Sequence, residues 1–237
     1  MRKLIYISLL AFAAAASAAA ATINFDNLDG STGDQVVPNG YGGLNWTNFN
    51  VYDAVSDPGG LSPSGYHDAI GGVQGWVSPN NVAFNAFAAN NPLTSWTVSS
   101  DTVFSLNSVY LHSVWNNGLQ VEVKGFLGGL AVPGADTNVL LNASDTAPTL
   151  ATFGLNFSVV DSVEFIPSGG TFHDGYKFDA GPYFAMDNLD VDVPVPEPGT
   201  WVAAALALGV IGFSQRKRVR ARARFIKGCA SRTVSNN

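Results

Sequence analysis

The residues of this sequence that could act as acids, bases or nucleophiles do not form a recognisable catalytic pattern. Two His-Asp dipeptides, His67-Asp68 and His173-Asp174, and a third histidine, His112, are the candidates for proton transfer. The sequence contains neither a strand-turn-helix serine motif nor a spaced set of His and Cys that would bind zinc. We therefore expect the dipeptides to be solvated loop residues, and we predict no catalytic residues.

Paired carboxylates, which most glycoside hydrolases use, cannot be selected from the sequence. Seventeen Asp or Glu lie between residues 22 and 193, and only two of them, Glu122 and Glu164, are glutamates. Glu122 falls on the polar side of an alternating segment, which is typical of a surface residue. A glycan hydrolase with unidentified acids is therefore one alternative function.

Asp187 is the most informative acid, because simple strand alternation puts it on the same face as Leu189 and Val191. Burying an ionised carboxylate without a partner is costly, and calcium prefers carboxylate and carbonyl oxygens. If the first and last strands are neighbours, Asp26 or Asn24 lies near Asp187. We predict a Ca²⁺ site of Asp26 and Asp187; the alternative is that Asp187 accepts hydrogen bonds from loop amides.

Aromatic side chains are the second class of candidate binding residues, because an exposed ring can stack on a sugar. Packing in the core is the default for a Trp or Tyr on an alternating strand. Tyr66 and Trp76, however, flank a Gly-rich loop. We predict these two side chains as exposed, ligand-binding rings.

The elements that position these candidates are predicted to be β-strands. Turn-forming residues recur every eight to twelve positions, and no segment has a convincing helical period. The residues of 119–124 alternate strictly between apolar and polar, Val109, Leu111 and Trp115 are expected to share one face, and Val163 and Phe165 another. We predict an all-β fold, a two-sheet antiparallel sandwich of the jelly-roll type. The other predicted strands are 22–28, 44–52, 82–87, 94–98, 102–106, 149–155, 159–166 and 183–193.

Charge is distributed very unevenly along the chain. The whole chain has a formal charge of −6, but residues 22–193 contain two Lys, no Arg and seventeen acids, a charge of −15. Such a segment cannot neutralise phosphates, so we predict no nucleic-acid partner. The single Cys, Cys229, lies near the end of the chain, and the acidic segment therefore depends on its core rather than on disulfides.

Both ends of the chain have the composition of targeting segments. Residues 1–21 form a predicted signal peptide, with Arg2 and Lys3 before an apolar region and small residues at its end. Near the other end, a Pro-rich linker (194–200) precedes a short apolar helix (201–214) and a basic cytoplasmic tail (215–237). The apolar run of thirteen residues spans roughly 20 Å as a helix, short for a bilayer core of about 30 Å. The basic stop, Arg216, Lys217, Arg218 and Arg220, predicts a cytoplasmic tail.

This constellation resembles the PEP-CTERM sorting signal of exported bacterial proteins. Pro196, Glu197, Pro198 and Gly199 supply the motif, followed by the apolar run and the basic cluster. The resemblance implies processing by an exosortase, transient anchoring in the cytoplasmic membrane, and a setting that contains exopolysaccharide. Unlike the usual tails of the family, this one continues through residues 225–237.

Short motifs along residues 22–193 also resemble a recurrent ectodomain of these sorted proteins. They begin at Ile23, Pro38, Ser64, Val82 and Phe184. This resemblance implies a sandwich like those of carbohydrate-binding domains and no known activity. We therefore predict an exported, surface-sorted, non-enzymatic β-protein of the envelope or exopolysaccharide matrix. The alternatives are a carbohydrate-binding module with a calcium-stabilised site and the hydrolase described above.

Overall fold

Almost all regular structure in the described part of the chain is β. The computed structural model describes residues 18–33, 35–88, 95–178 and 181–194. Two short 3-10 helices, Tyr41–Gly43 and Leu155–Phe157, interrupt the strands. The strands are β1 (Ala18–Ile23), β2 (Gln35–Val36), β3 (Asn45–Thr47), β4 (Phe49–Asp53), β5 (His67–Asp68), β6 (Val73–Gln74), β7 (Asn81–Asn85), β8 (Trp96–Ser113), β9 (Asn116–Leu127), β10 (Leu130–Leu141), β11 (Thr149–Thr152), β12 (Val160–Phe172) and β13 (Phe184–Pro194).

The strands pair in antiparallel fashion, and the long strand β8 joins two sections of one large sheet. The first half of β8 pairs with β12 and β3, and β12 continues through β9 to β10. The second half of β8 pairs with β13 and β11, and β13 continues through β7 and β4 to β2. A separate small sheet contains β5 and β6. The predicted all-β, antiparallel class is confirmed.

The alternation of apolar and polar residues correctly predicts which side chains are buried in a strand with one buried face. Leu119, Val121 and Val123 of β9 are fully buried, whereas Gln120 and Glu122 between them are not. We expected 94–98 and 102–106 to form separate strands, but residues 96–98 and 102–106 instead belong to the continuous strand β8. Ser99 pairs on both sides, with Ser162 and with Asn45, and this pairing keeps the polar segment extended.

The main core lies between the inner faces of the two sections. Phe49 of β4 contacts Phe165 of β12 edge to face, with ring centroids 6.0 Å apart. Phe165 also lies 6.0 Å from Phe184 of β13. Because β4 and β13 belong to one section and β12 to the other, these rings bring the two sections into contact.

A second core covers the outer face of the section that contains β4, β7 and β13. Tyr52, Val82 and Ala185 belong to it, and the chain between β4 and β7 supplies its cover. Trp115 also packs there, whereas Val109 and Leu111 pack in the main core. The prediction that Trp115 shares their face is wrong, because β8 ends at Ser113, before Trp115.

A bulge in β13 interrupts the alternation that we used to orient Asp187. Asn188 has a φ of 46°, and the pairing with β8 shifts register between Asp187 and Asp190. Met186 and Leu189, three residues apart, consequently both pack in the main core. The prediction that alternation continues from Asp187 to Leu189 is therefore wrong at this position.

The first and last strands are neighbours, the condition on which the expected proximity of Asp26 and Asp187 depended: β1 pairs with β13, with Ile23 opposite Leu189. Residues 18–194 form one compact unit, compared with the expected domain of 22–193. Within the described ranges, no helix has the length and hydropathy needed to cross a membrane. Residues 1–17 of the predicted signal peptide, and the linker, apolar run and tail from residue 195 onward, lie outside the described residues.

Candidate binding site

A pocket of about 260 Å³ opens beside the second core. Tyr52 lies on β4, Phe84 on β7, and Tyr183 immediately before β13. Trp115 follows the end of β8, and Tyr66 comes from the cover segment between β4 and β7. Five aromatic side chains from separate parts of the chain therefore line one pocket.

The Tyr66 ring is the centre of this aromatic group. Its centroid lies 4.8 Å from that of Tyr52, 6.0 Å from that of Phe84 and 6.5 Å from that of Trp115. The Phe84 and Trp115 contacts are edge to face, and Tyr183 joins the group through Phe84 at 6.4 Å. Aromatic pairs in such geometry each stabilise by about 0.5–1.5 kcal/mol beyond their buried area. The wall of the pocket is therefore preorganised.

Close backbone packing places Tyr66 against the end of β8. The Gly65 N–H donates to the Val114 carbonyl at 2.8 Å, and the Tyr66 N–H donates to the buried Ser64 hydroxyl at 3.2 Å. A Cβ atom at position 65 would overlap the Ser113 carbonyl oxygen. Glycine is required here because only its backbone can approach so closely. The Ser-Gly-Tyr sequence thus fixes the position of the ring.

The Tyr52 hydroxyl holds the loop at the rim of the pocket. It donates to Asp57 Oδ1 and accepts a hydrogen bond from the Gly59 N–H at 3.3 Å. The Asp57 carboxylate also accepts from the Leu61 N–H at 2.7 Å and the Ser62 N–H at 3.0 Å. Burial, reinforced by Asp57, raises the pKa of the Tyr52 hydroxyl, which therefore stays protonated. These bonds give the pocket a fixed rim.

Three polar groups of the pocket-lining side chains have no hydrogen-bond partner among the described residues: the Tyr66 and Tyr183 hydroxyls and the Trp115 indole N–H. Tyr66 and Trp115 are only 3% and 4% exposed. Burial, followed by the nearby Tyr183 and Tyr52 hydroxyls, raises the pKa of Tyr66 well above its ordinary value. None of these atoms is among the fully buried polar atoms that lack a partner, which in the described residues are Asn50 Oδ1 and Asn116 Oδ1, so each keeps some solvent-accessible surface at the pocket. The site therefore has unsatisfied donors among aromatic rings.

Of the two predicted ligand-binding rings, Tyr66 lines this pocket and Trp76 is not among the residues that do. The expectation that Tyr66 is exposed is wrong, because its segment docks on β8 and buries the ring. Trp76 is half-buried, with its ring edge to face against His67 at 5.5 Å.

Asp187 and Asp26 both bind the segment that leads into β7. Asp187 Oδ2 accepts from the N–H groups of Val77 and Ser78 at 2.7 and 2.9 Å, and Oδ1 accepts from the Asn188 N–H at 2.7 Å. Asp26 Oδ1 accepts from the Asn81 N–H at 3.1 Å. Burial raises the pKa of Asp187, and its hydrogen bonds oppose that rise.

These N–H donors compete with the predicted calcium ion. Their partial positive charges already point at the carboxylate oxygens that a cation would need. Among the described residues, no group of three or more His, Cys, Asp or Glu is placed to hold a metal. The geometry favours the alternative in which Asp187 caps loop amides. Calcium binding stays a prediction.

The other candidates for chemistry lie outside the pocket. His173 Nδ1 accepts from the Asn117 side-chain amide at 3.0 Å. Glu122 pairs with Lys124 at 2.8 Å, and Glu164 accepts from the Ser95 hydroxyl at 2.7 Å. The structure therefore gives these side chains structural contacts and places none of them with the aromatic group.

The sequence indicated Tyr52 and Trp115 only as two of several aromatic rings that could stack on a sugar, with core packing as the default for Trp, and it did not single out Phe84 or Tyr183. One local signal was available, because apolar residues occupy both faces of two strands, as in Val51-Tyr52 on β4. A strand with two apolar faces is covered on both sides. That signal predicts a second core but not a pocket in it.

The end of the chain provides the clearest likeness to known proteins. Residues 194–218 match the family described as the PEP-CTERM protein-sorting motif. The chain carries a PEP-CTERM sorting signal. The match includes the predicted motif Pro196, Glu197, Pro198 and Gly199, and the prediction is confirmed. A PEP-CTERM signal implies export, transient membrane anchoring and processing by an exosortase.

The likeness to solved structures is weaker. The chain is similar to a DUF4465 family protein from Bacteroides ovatus ATCC 8483, at 7% sequence identity and a TM-score of 0.40. That similarity covers 64% of this chain and 79% of the other chain. No curated protein matches the chain.

Proposed function

We propose that the protein is an exported, non-enzymatic glycan-binding module that is sorted to the cell surface or the exopolysaccharide matrix. The observation that carries this proposal is the unpaired Tyr66 hydroxyl at the centre of an aromatic pocket. Sugar rings have apolar faces that stack on aromatic rings and hydroxyls that pair with such donors and acceptors. Small-ligand sites generally combine an apolar lining with a few polar groups in this way.

The composition of the pocket favours binding over catalysis. Its described lining contains Thr, Gly, Leu and aromatic residues but no Asp, Glu, His, Lys or Arg. General acid–base chemistry works best with a group whose pKa lies near the operating pH, and burial raises the pKa of the lining Tyr52 and Tyr66 away from neutrality. The proposal treats the domain as a jelly-roll-like sandwich, and the Phe49–Phe165 contact between its sections supports that description.

A glycan array tests this function on the mature exported protein. Tyr66→Phe retains the ring and removes only the unpaired hydroxyl, whereas Tyr110→Phe makes the same change outside the pocket. We expect wild type and Tyr110→Phe to bind the same glycans. Tyr66→Phe should bind them about fivefold more weakly, since one hydrogen bond contributes about 1 kcal/mol. Absence of any glycan binding by the wild type would contradict the proposal.

A further inference from the structure

The volume of the aromatic pocket limits what it can enclose. It measures about 260 Å³, which lies below the range of about 300–1,000 Å³ typical of pockets for drug-sized ligands. The pocket therefore has room for one ring rather than for several linked rings. An internal residue of a glycan continues into neighbours on two sides, whereas a terminal residue continues on only one. The volume consequently favours the end of a chain.

The charges around the pocket limit the ligand further. Both cations of residues 22–193 have other contacts: Lys124 pairs with Glu122, and Lys177 donates to the Gly60 carbonyl and lies 5.5 Å from the Phe178 ring. Neither lysine lines the pocket. A carboxylate or sulfate placed there would lose its hydration without gaining a cation. The formal charge of −15 would also repel it before contact.

We propose that the pocket binds a single, uncharged sugar residue at the terminus of a glycan chain. This inference rests on the proposed glycan-binding function and adds the position and the charge of the residue bound. The Tyr66 hydroxyl and the Trp115 indole N–H bond to hydroxyls of the terminal sugar, and the surrounding rings contact its apolar face. The rest of the glycan lies outside the pocket.

A series of chain lengths tests the inference with the mature exported protein. The probes are neutral oligosaccharides of one to six residues, immobilised through their reducing ends so that each chain presents one free terminus. Matched oligosaccharides that contain uronic acids form a second series. We expect the dissociation constant to change less than twofold between two and six residues. We also expect uronic-acid termini to bind at least tenfold more weakly than neutral termini.

Each other outcome has a distinct meaning. Affinity that rises steadily with chain length, or binding through internal residues after the free terminus is blocked, overturns end recognition but leaves glycan binding intact. Preference for uronic acids overturns the assignment of an uncharged ligand. Absence of binding to every glycan overturns this inference together with the proposed function. Tyr110→Phe serves as the control for the tyrosine substitution, and Tyr66→Phe should weaken binding of all lengths equally.

Discussion

Asp187 Oδ2 lies 2.7 Å from the backbone nitrogen of Val77, although 110 residues separate the two in sequence. The same carboxylate accepts hydrogen bonds from the N–H groups of Ser78 and Asn188. It thus joins the last strand to the segment that covers the second core. A carboxylate suits this position because all of its partners are donors.

We expect Asp187→Asn to lower the melting temperature by several degrees. The amide offers only one acceptor oxygen and directs an NH₂ group toward N–H donors, and hydrogen bonds to charged groups contribute about 1.5–3 kcal/mol. Thermal unfolding of the exported protein, followed by circular dichroism with calcium and with a chelator, measures the effect. Asp192→Asn is the matched control, since it removes one charge from the same strand.

The calcium prediction gives a different result in the same experiment. If Ca²⁺ neutralises Asp187, calcium at one hundred times its dissociation constant stabilises wild type by about 2.7 kcal/mol. That response would be absent from Asp187→Asn. Equal melting temperatures of wild type in calcium and in chelator would contradict a metal site and leave the hydrogen-bonding role.

Gly65→Ala should disrupt the pocket, because its Cβ would overlap the Ser113 carbonyl oxygen. The clash involves backbone on both sides, so we expect a loss of at least the roughly 1–3 kcal/mol typical of overpacking. Gly154→Ala is the control: nothing lies within 4 Å of its added Cβ, and its φ of −84° suits alanine. Chemical denaturation of both variants measures the difference, and equal stabilities would show that the Gly65 contact is unimportant.

The stability of the protein should depend on pH through His112, which is 1% exposed. Its Nδ1 lies 2.7 Å from the Ser113 carbonyl oxygen, and its Nε2 lies 2.9 Å from that of Asp145. Burial lowers the pKa of this imidazole from 6.5, and the carbonyl contacts oppose the shift. The unfolded chain therefore binds the proton first, and stability is lost as the pH falls below about 6.5.

Melting temperatures at pH 7.5 and 5.5 check this expectation. We expect a lower value at pH 5.5 for wild type and a smaller difference for His112→Gln, with His67→Gln as the control. A neutral imidazole has only one N–H donor for the two carbonyl oxygens. A wild-type melting temperature that rises on acidification would contradict this expectation. It would mean that His112 is protonated in the folded protein and donates to both carbonyl oxygens, whereas burial lowers its pKa.

Sorting should depend on the PEP motif. Changing Glu197 or Pro198 to Ala should leave the chain uncleaved in the cytoplasmic membrane, because the motif marks it for an exosortase. Cell fractionation followed by mass spectrometry of the terminal peptides measures both location and cleavage. Wild-type protein that retains the residues after Arg216 at steady state would show that the tail is a plain anchor.

The β class could be predicted, because alternation and turn residues are local signals. The pairing of the first and last strands is a long-range contact, which the sequence raised only as a condition for a shared site. The orientation of Asp187 could not be predicted, since the left-handed conformation of Asn188 shifts the alternation after it. Asparagine tolerates that conformation better than most residues, but its presence alone does not require it. The pocket was also beyond prediction, because Tyr66 and Trp115 meet only through the docking of Gly65 on β8.

Indole ¹⁵N NMR of the mature protein, titrated with neutral oligosaccharides bound on the array, tests the central claim most directly. The Trp46 and Trp96 indole N–H groups donate to backbone carbonyls at 3.0 and 2.8 Å, whereas that of Trp115 has no partner among the described residues. We predict a saturable shift of the Trp115 resonance, assigned by its loss in Trp115→Phe, while those of Trp46 and Trp96 stay in place. An unchanged Trp115 resonance at saturating glycan would contradict binding in the pocket.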